Sequence, residues 1–555
     1  MPKTNLGKFA ENLIKALFNL KVSEGAMIAA LSAYFTLALN LSFWKMVFGN
    51  IEIGGAFSFL FLLSLPVCMF LVKYAVFNML LWPRVFKPVA ALLLLVSSAA
   101  NYFMFKYGIF IDAEMVRNTV ETTVAESVSY LTPGLVLWIF FGGVLPSVII
   151  VCARIGYGRT WRLLLVHAAR VLLSLAVVVA VAAACYKQYV FFMRNNDAIR
   201  KLVNPENYIY AIQKYFYNHA LANSVFTVID PAPSMRPRNG GGRRVIVLVV
   251  GETARRGNFS LNGYGRETNP LLKRQDVVSF ADVASAGTST AVSVPAMFSA
   301  LPRTKFKVDD ADYIENLLDI LKKAGWSVVW IENNSSCKKV CARVDTEYID
   351  AKSNPEFCDG SNCHDGVMLD ALDRRIRGAK GGVVVVLHAI GSHGPAYYER
   401  YPERFKVFAP TCDTAELQDC AYENIINTYD NTILYTDYFL NGVIEVLKRF
   451  PAYETGMLYV SDHGESLGEG GIYLHGMPYM IAPSAQKTVP MIMWMNEKMR
   501  RGSKIDYGCL KASAARELSH DYFFHTTLGW AEVDSQVYDP SLDFLKDCRF
   551  GLADE

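Results

Sequence analysis

Five apolar runs, each long enough to cross a bilayer, fill the N-terminal third of the chain and constrain its architecture more than any other feature. They fall at Ala26–Trp44, Ala56–Leu81, Val89–Phe105, Pro133–Cys152 and Leu163–Cys185. A helix rises 1.5 Å per residue, so about 20 apolar residues match a hydrocarbon layer ~30 Å thick. The first run is expected to be retained rather than cleaved, because four more follow and no small-residue cleavage site stands out. Basic residues near the span ends set the orientation. Lys3, Lys8, Lys15 and Lys21 precede the first span, Arg84 and Lys87 separate the second from the third, and Arg154, Arg159 and Arg162 separate the fourth from the fifth. These connections belong on the cytoplasmic side. Five spans then place the C-terminal two-thirds outside, in the periplasm of a Gram-negative host.

Cysteine placement tests that topology independently. Cys68, Cys152 and Cys185 lie in or beside the spans, where a lone cysteine serves as a small apolar residue. Cys337, Cys341, Cys358, Cys363, Cys412, Cys420, Cys509 and Cys548 all follow the spans, and an even number in close pairs points to disulfides in an oxidising compartment. A zinc ribbon fits less well, since no matched CxxC pair occurs. A net charge of +3, with no basic stretch interleaved with aromatics, argues against a nucleic-acid partner.

At 555 residues the chain exceeds one hydrophobic core. The expected division is a transmembrane domain over 1–193, an interfacial bridging helix and linker over 194–243, and a periplasmic domain over 244–555. Between the third and fourth spans, Asn118, Thr122 and Glu126 fall at i, i+4 and i+8 on one face of a predicted helix. A solvated surface helix would look the same. The tyrosine-rich stretch Arg194–Thr227 suits a helix lying on the membrane, or ordinary packing. Asp230–Arg244 is Pro/Gly-rich and reads as a linker. Buried-strand runs follow at Val245–Val250, Ser327–Ile331, Val383–Leu387 and Met457–Val460, separated by helical segments such as Ile314–Lys323 and Asn424–Lys448. Strands alternating with helices predict an α/β domain with a mostly parallel sheet covered on both faces.

Sites in such sheets form at the carboxyl ends of strands. One run ends in Gly251-Glu252, another in Ser461-Asp462-His463, with His475 beyond it. A third ends in Leu387-His388 and is followed by Ser392-His393. Two carboxylates with imidazoles form a ligand set suited to zinc, with manganese also possible. A nucleophile would come from the hydroxyl-rich Gly287–Pro295 segment, where a helix N-terminus would favour a phosphoryl group and a metal would lower a hydroxyl's pKa. Residue chemistry leaves Thr288, Ser289, Thr290 and Ser293 open.

The motifs GETAR (Gly251–Arg255), GTSTAxSVP (Gly287–Pro295), NNS…K (Asn333–Lys338), HGPAYY (His393–Tyr398) and SDHGESLGE…YLHGMP (Ser461–Pro478) closely resemble the lipid A phosphoethanolamine transferases, which include the mobile colistin-resistance enzymes. The resemblance covers nearly the whole chain and implies five spans followed by a periplasmic domain of the alkaline phosphatase/sulfatase type. It implies Thr290 as nucleophile, with Glu252, Thr290, Asp462 and His463 around one principal zinc. His393 and His475 would contact the phosphoryl group or a second zinc. Asn334 and Lys338 would lie near the donor headgroup, and Asn118, Thr122 and Glu126 would contact lipid. His388, His520 and His525 are expected to be structural. The family's cysteines at the positions of Ala286 and Ala296 are replaced as a pair, and the pairs that remain are Cys337–Cys341, Cys358–Cys363, Cys412–Cys420 and Cys509–Cys548.

The implied activity is zinc-dependent transfer of phosphoethanolamine from phosphatidylethanolamine to a lipid A phosphate through a threonine intermediate. Diacylglycerol would be released, and susceptibility to polymyxins such as colistin would fall. The rival expectations are a lipopolysaccharide-core acceptor, a phosphoglycerol transferase or sulfatase-like enzyme, and a catalytically silent membrane receptor.

Overall fold

The computed structural model describes residues 21–50, 56–80, 82–122, 127–128, 130–157, 160–195, 197–221, 225–237, 242–352, 354–360 and 362–550. The chain forms two compact units: Met1–Ala113 with Leu131–Gln213, and Glu114–Tyr130 with Lys214–Glu555.

In the first unit, Phe59–Leu80, Phe86–Tyr107, Pro133–Cys152 and Trp161–Ala184 are long and apolar enough to cross a membrane. The first expected span is not one straight helix. It is a pair, Glu24–Leu37 and Leu41–Gly49, bent by 50°. Asn40 explains the break: its buried amide donates to the Phe35 carbonyl at 2.6 Å and to Asn204 O at 3.0 Å, while accepting from Asn204 N. A side chain that takes a carbonyl from the helix ladder ends the helix there. The three basic connections meet at one end of this unit. Lys21–Ser23 pairs with Arg154–Gly156 as a short parallel ladder. Lys87 Nζ donates to the carbonyls of Val151 and Ala153, which a helix C-terminus leaves open. Lys3, Lys8, Lys15 and Arg159 lie outside the described residues.

The second unit is built on a seven-stranded sheet. In chain order its strands are β1 (Arg244–Gly251), β2 (Val278–Phe280), β3 (Ser327–Glu332), β4 (Asp345–Tyr348), β5 (Val383–His388), β6 (Glu454–Ser461) and β7 (Met491–Met495). Their order in the sheet is β2-β7-β6-β1-β5-β3-β4. β6, β1, β5, β3 and β4 pair in parallel, and only β7 runs against its neighbours. The sheet is mostly parallel, as the alternating pattern predicts. β2, β4 and β7 were not predicted: β2 and β4 are three and four residues long, and β7 is a methionine-rich run without the β-branched signal. The central strands are buried along their whole length because helices cover both faces.

Two predicted helices have different ends. The helix expected from Ile314 spans Leu317–Lys323, because Asn316 and Asp319 form a reciprocal capping box at its start. The helix carrying Asn118 spans Ala113–Glu121 and stops one residue short of Thr122, whose Oγ1 donates to the Asn118 carbonyl at 2.6 Å. Glu126 lies outside the described residues. The four cysteine pairs expected from the resemblance are all disulfides.

The long helix Tyr422–Lys448 packs beneath the sheet and presents the buried carboxyl of Asp437 to the amides of Leu271 and Leu272, at 2.8 and 2.9 Å. Burial pushes that carboxyl up to about 7, and the two amide donors only partly oppose the shift. Because the folded pKa lies above the unfolded value, this group's contribution to stability is full below about pH 4 and is lost as pH rises through about 7. Asp437→Asn is therefore expected to gain stability relative to wild type between pH 5 and pH 8, as read from denaturant midpoints at both pH values. A difference that does not change with pH would contradict this.

Candidate functional site

The register of the parallel pair β6–β1 aligns Ser461 with Gly251, so the residues just past each strand, Asp462 and Glu252, come out side by side. Asp462 N donates to Gly251 O at 2.9 Å, and Thr253 N donates back to Asp462 Oδ1 at 3.0 Å. Thr253 has φ 60, a left-handed conformation that a β-branched residue adopts only when its surroundings impose it. Those surroundings are Asp462, Glu252 Oε1 (2.5 Å from Thr253 Oγ1) and Tyr429, whose hydroxyl donates to the Thr253 carbonyl.

Glu252, Asp462 and His463 form a metal-capable cluster, their ligand atoms all lying within 4.8 Å of one another. His463 Nε2 stands 3.4 Å from Glu252 Oε1 and 3.3 Å from Asp462 Oδ2. Its Nδ1 donates to the Gly464 carbonyl at 2.8 Å, which leaves Nε2 to face the carboxylates. All three side chains are buried. Burial and the neighbouring Glu252 carboxylate push the Asp462 carboxyl up to about 6. Burial works against charge on Glu252 and His463 too, but the His463 imidazole holds Glu252 well below the usual carboxylate range. The carboxylates in turn push His463 up to about 10. Asp462 Oδ2 is buried with no hydrogen-bond donor. Two carboxylates, one with an orphaned oxygen, and an imidazole fit a divalent cation, and this donor set suits zinc.

The structure separates the four candidate hydroxyls. Thr288 Oγ1 donates to Met477 O at 2.6 Å, and Ser293 Oγ donates to Asp462 O. Ser289 Oγ is buried without a partner. Thr290 begins the helix Thr290–Met297, and its Oγ1 lies 3.0 and 3.2 Å from the Glu252 carboxylate and 3.3 Å from His463 Nε2. Of the four, only Thr290 brings its hydroxyl to the cluster.

Other expected residues fall into different settings. The His463 and His475 rings are 4.3 Å apart, and the His393 and His475 rings 5.8 Å apart. Asn334 Nδ2 is committed to Glu252 Oε2 at 2.8 Å and to Ala389 O at 2.9 Å, so it orients a cluster carboxylate. Lys338 pairs with Glu121 at 3.8 Å. Asn118 Nδ2 lies close to Gly476, next to His475: a Cβ at that glycine would stand 3.4 Å from it. Buried His388 is held by Glu332, as expected of a structural histidine, and the pair backs onto Asn334.

Two further residues went unrecognised in the sequence. Glu465 accepts from Tyr397 OH at 2.5 Å and bonds His475 Nδ1 at 2.8 Å, and with His463 and His475 it forms a second metal-capable group. Its position two residues past His463 was the available signal. Asp365 binds the amides of Ile390 and Gly391 and so presses that turn against Glu252. Nothing in the local sequence marks it.

Gly391 has φ 50, and a Cβ there would meet Glu252 O at 2.6 Å. Gly391→Ala is expected to cost roughly 1–3 kcal/mol in stability and to weaken divalent-metal binding by displacing Glu252. Zinc titration calorimetry checks this, and an affinity equal to wild type would contradict it.

A sulfatase family model matches residues 244–533, and the phosphoethanolamine transferase EptA/EptB model matches residues 69–220. The chain is 41% identical to phosphoethanolamine transferase EptA of Escherichia coli K12 over 521 residues, covering 93% of this chain and 95% of that protein. It is 35% identical to the Escherichia coli phosphatidylethanolamine transferase Mcr-1, covering 96% and 97%. The integral membrane lipooligosaccharide phosphoethanolamine transferase A from Neisseria meningitidis superposes with a TM-score of 0.93 at 40% identity, over 96% of this chain and 99% of that one.

Proposed function

The chain belongs to the phosphoethanolamine transferase family, and from that premise we propose that it moves phosphoethanolamine from phosphatidylethanolamine to a lipid A phosphate, with Thr290 as the nucleophile. The observation that carries this reading is the Thr290 hydroxyl at 3.0–3.3 Å from Glu252 and His463, at the start of a helix.

Glu252, Asp462 and His463, with Thr290, would hold a zinc ion, which when bound lowers the hydroxyl's pKa and offsets charge on the phosphoryl group. Thr290 Oγ attacks the phosphorus of phosphatidylethanolamine as its proton passes to a neighbouring base. The bond to the diacylglycerol oxygen breaks, and that oxygen takes up a proton from His393 or His475. Glu465 orients His475 through Nδ1, leaving Nε2 for proton transfer. An oxygen of a lipid A phosphate then attacks the phosphoethanolaminyl-threonine, and Thr290 regains its proton. The covalent step lets one site serve two bulky lipids in turn. The N-terminus of the Thr290 helix favours the anionic group throughout.

In the same reading the protein resides in a bacterial inner membrane with its catalytic domain, residues 244–555, in the periplasm. Residues 1–193 form the membrane domain and 194–243 the bridge between them. Asn118, Thr122, Glu126, Asn334, Lys338, His393 and His475 contact the lipid substrates or the group in transfer. Adding a cationic amine to lipid A lowers the outer surface's attraction for polymyxins.

Intact-mass spectrometry of the full-length protein incubated with phosphatidylethanolamine tests the nucleophile. Wild type is expected to gain one phosphoethanolamine and Thr290→Ala none; equal gain by both would refute the assignment. Mass spectrometry of lipid A from expressing cells reads the acceptor, and an unmodified lipid A beside a modified core would move the acceptor to the core.

A further inference from the structure

One fully buried histidine takes no part in the steps above yet touches both halves of the site. His520 ends the short parallel ladder between Glu517–Ser519 and Asp282–Ala284, and its own amide donates to Ala284 O at 3.0 Å. It immediately precedes the helix Asp521–Trp530. Its backbone is thus pinned on both sides, and the imidazole points between the Thr290 segment and the end of β6.

The three ring contacts fix its tautomer. Ser461 O, 3.0 Å from Nε2, can only accept, so Nε2 carries the proton. Nδ1 is then an acceptor, and the Ala286 amide donates to it at 3.1 Å. Ser293 Oγ lies 3.2 Å from the same nitrogen, but its single proton is directed at the Asp462 carbonyl. Burial pushes the imidazole down to about 3, so this donor–acceptor arrangement holds at neutral pH.

The bridge spans two segments whose separation matters. Ala286 opens the run to Thr290, and Ser461 immediately precedes Asp462 and His463. No disulfide ties the 286–297 segment: the four in the described residues all lie beyond residue 336. Of that segment's other ties, Gly476 N to Thr288 O and Thr288 Oγ1 to Met477 O lead to the His475 loop, and only the Ser293 hydroxyl, bonded to Asp462 O, reaches the end of β6 beside the His520 bridge.

We propose that His520 is a positioning residue, an imidazole brace that acts with the Ser293–Asp462 bond to set the distance between Thr290 and the Asp462–His463 turn. This rests on Thr290 being the nucleophile. A displacement of about 1 Å at a reacting group can cost on the order of a hundredfold in rate, so losing the brace should fall on kcat rather than on binding.

The test uses full-length wild type, His520→Ala, His520→Asn and His520→Gln with phosphatidylethanolamine, reading diacylglycerol release and amide exchange at Ala286. His520→Ala is expected to lower kcat about tenfold or more, keep KM within about twofold, and speed exchange at Ala286. His520→Gln keeps one donor and one acceptor on its amide and is expected to recover part of kcat. A folded His520→Ala with kcat within twofold of wild type overturns the proposal. Should that variant fail to fold, the Asn and Gln variants decide: kcat falling as Ala286 exchange rises supports the brace, and wild-type kcat in both overturns it. Failure of the underlying reading shows differently, as wild type that gains no phosphoethanolamine on Thr290, and that result removes this proposal with its premise.

Discussion

Two buried carboxylates set side by side govern the second unit of this protein. Glu252 and Asp462 are neighbours because β1 and β6 pair in parallel with Gly251 opposite Ser461. Like charges about 4 Å apart repel by about 4 kcal/mol at the effective dielectric of a protein site, and both groups have also lost their water. His463 supplies one positive charge at most, and Asp462 Oδ2 still lacks a donor. A divalent cation would remove both deficits, so the electrostatics of the fold and the chemistry of the site are one problem.

Much of the surrounding structure serves to hold that arrangement. Asn334 fixes Glu252 from the sheet side and itself rests on the Glu332–His388 pair. Asp365 gathers the amides of Ile390 and Gly391 and brings that turn within a Cβ's breadth of Glu252. Thr253 accepts a left-handed backbone between the two carboxylates. Each feature is costly alone and makes sense only as support for a charged centre. Thr290 enters from a separate helix, and its position depends on contacts rather than on covalent ties.

The parts of this design that were legible in the sequence are those with local signals. Long β-branched runs marked the central strands, and Glu252, Asp462, His463 and His475 stood out at strand ends. Composition marked the spans. The bend in the first span was hidden because Asn40 acts through a partner 164 residues away. The helix ending at Glu121 was misjudged because i, i+4 spacing says nothing about where a threonine turns back onto its own backbone. Asp365 and Glu465 were passed over, and His520 was read only as structural, for one reason: their contacts come from strands and turns that meet only in the fold. Residue chemistry left four hydroxyls open, and motif resemblance selected Thr290 where pattern alone could not.

The central claim is that Glu252, Asp462 and His463 hold a divalent cation against the Thr290 hydroxyl. Anomalous diffraction from crystals of the zinc-loaded protein, recorded on either side of the zinc absorption edge, tests it most directly. The account predicts a principal peak within about 2.0–2.3 Å of ligand atoms from all three residues. A principal peak held instead by His463, Glu465 and His475, or no peak at the Glu252–Asp462 pair, would contradict it.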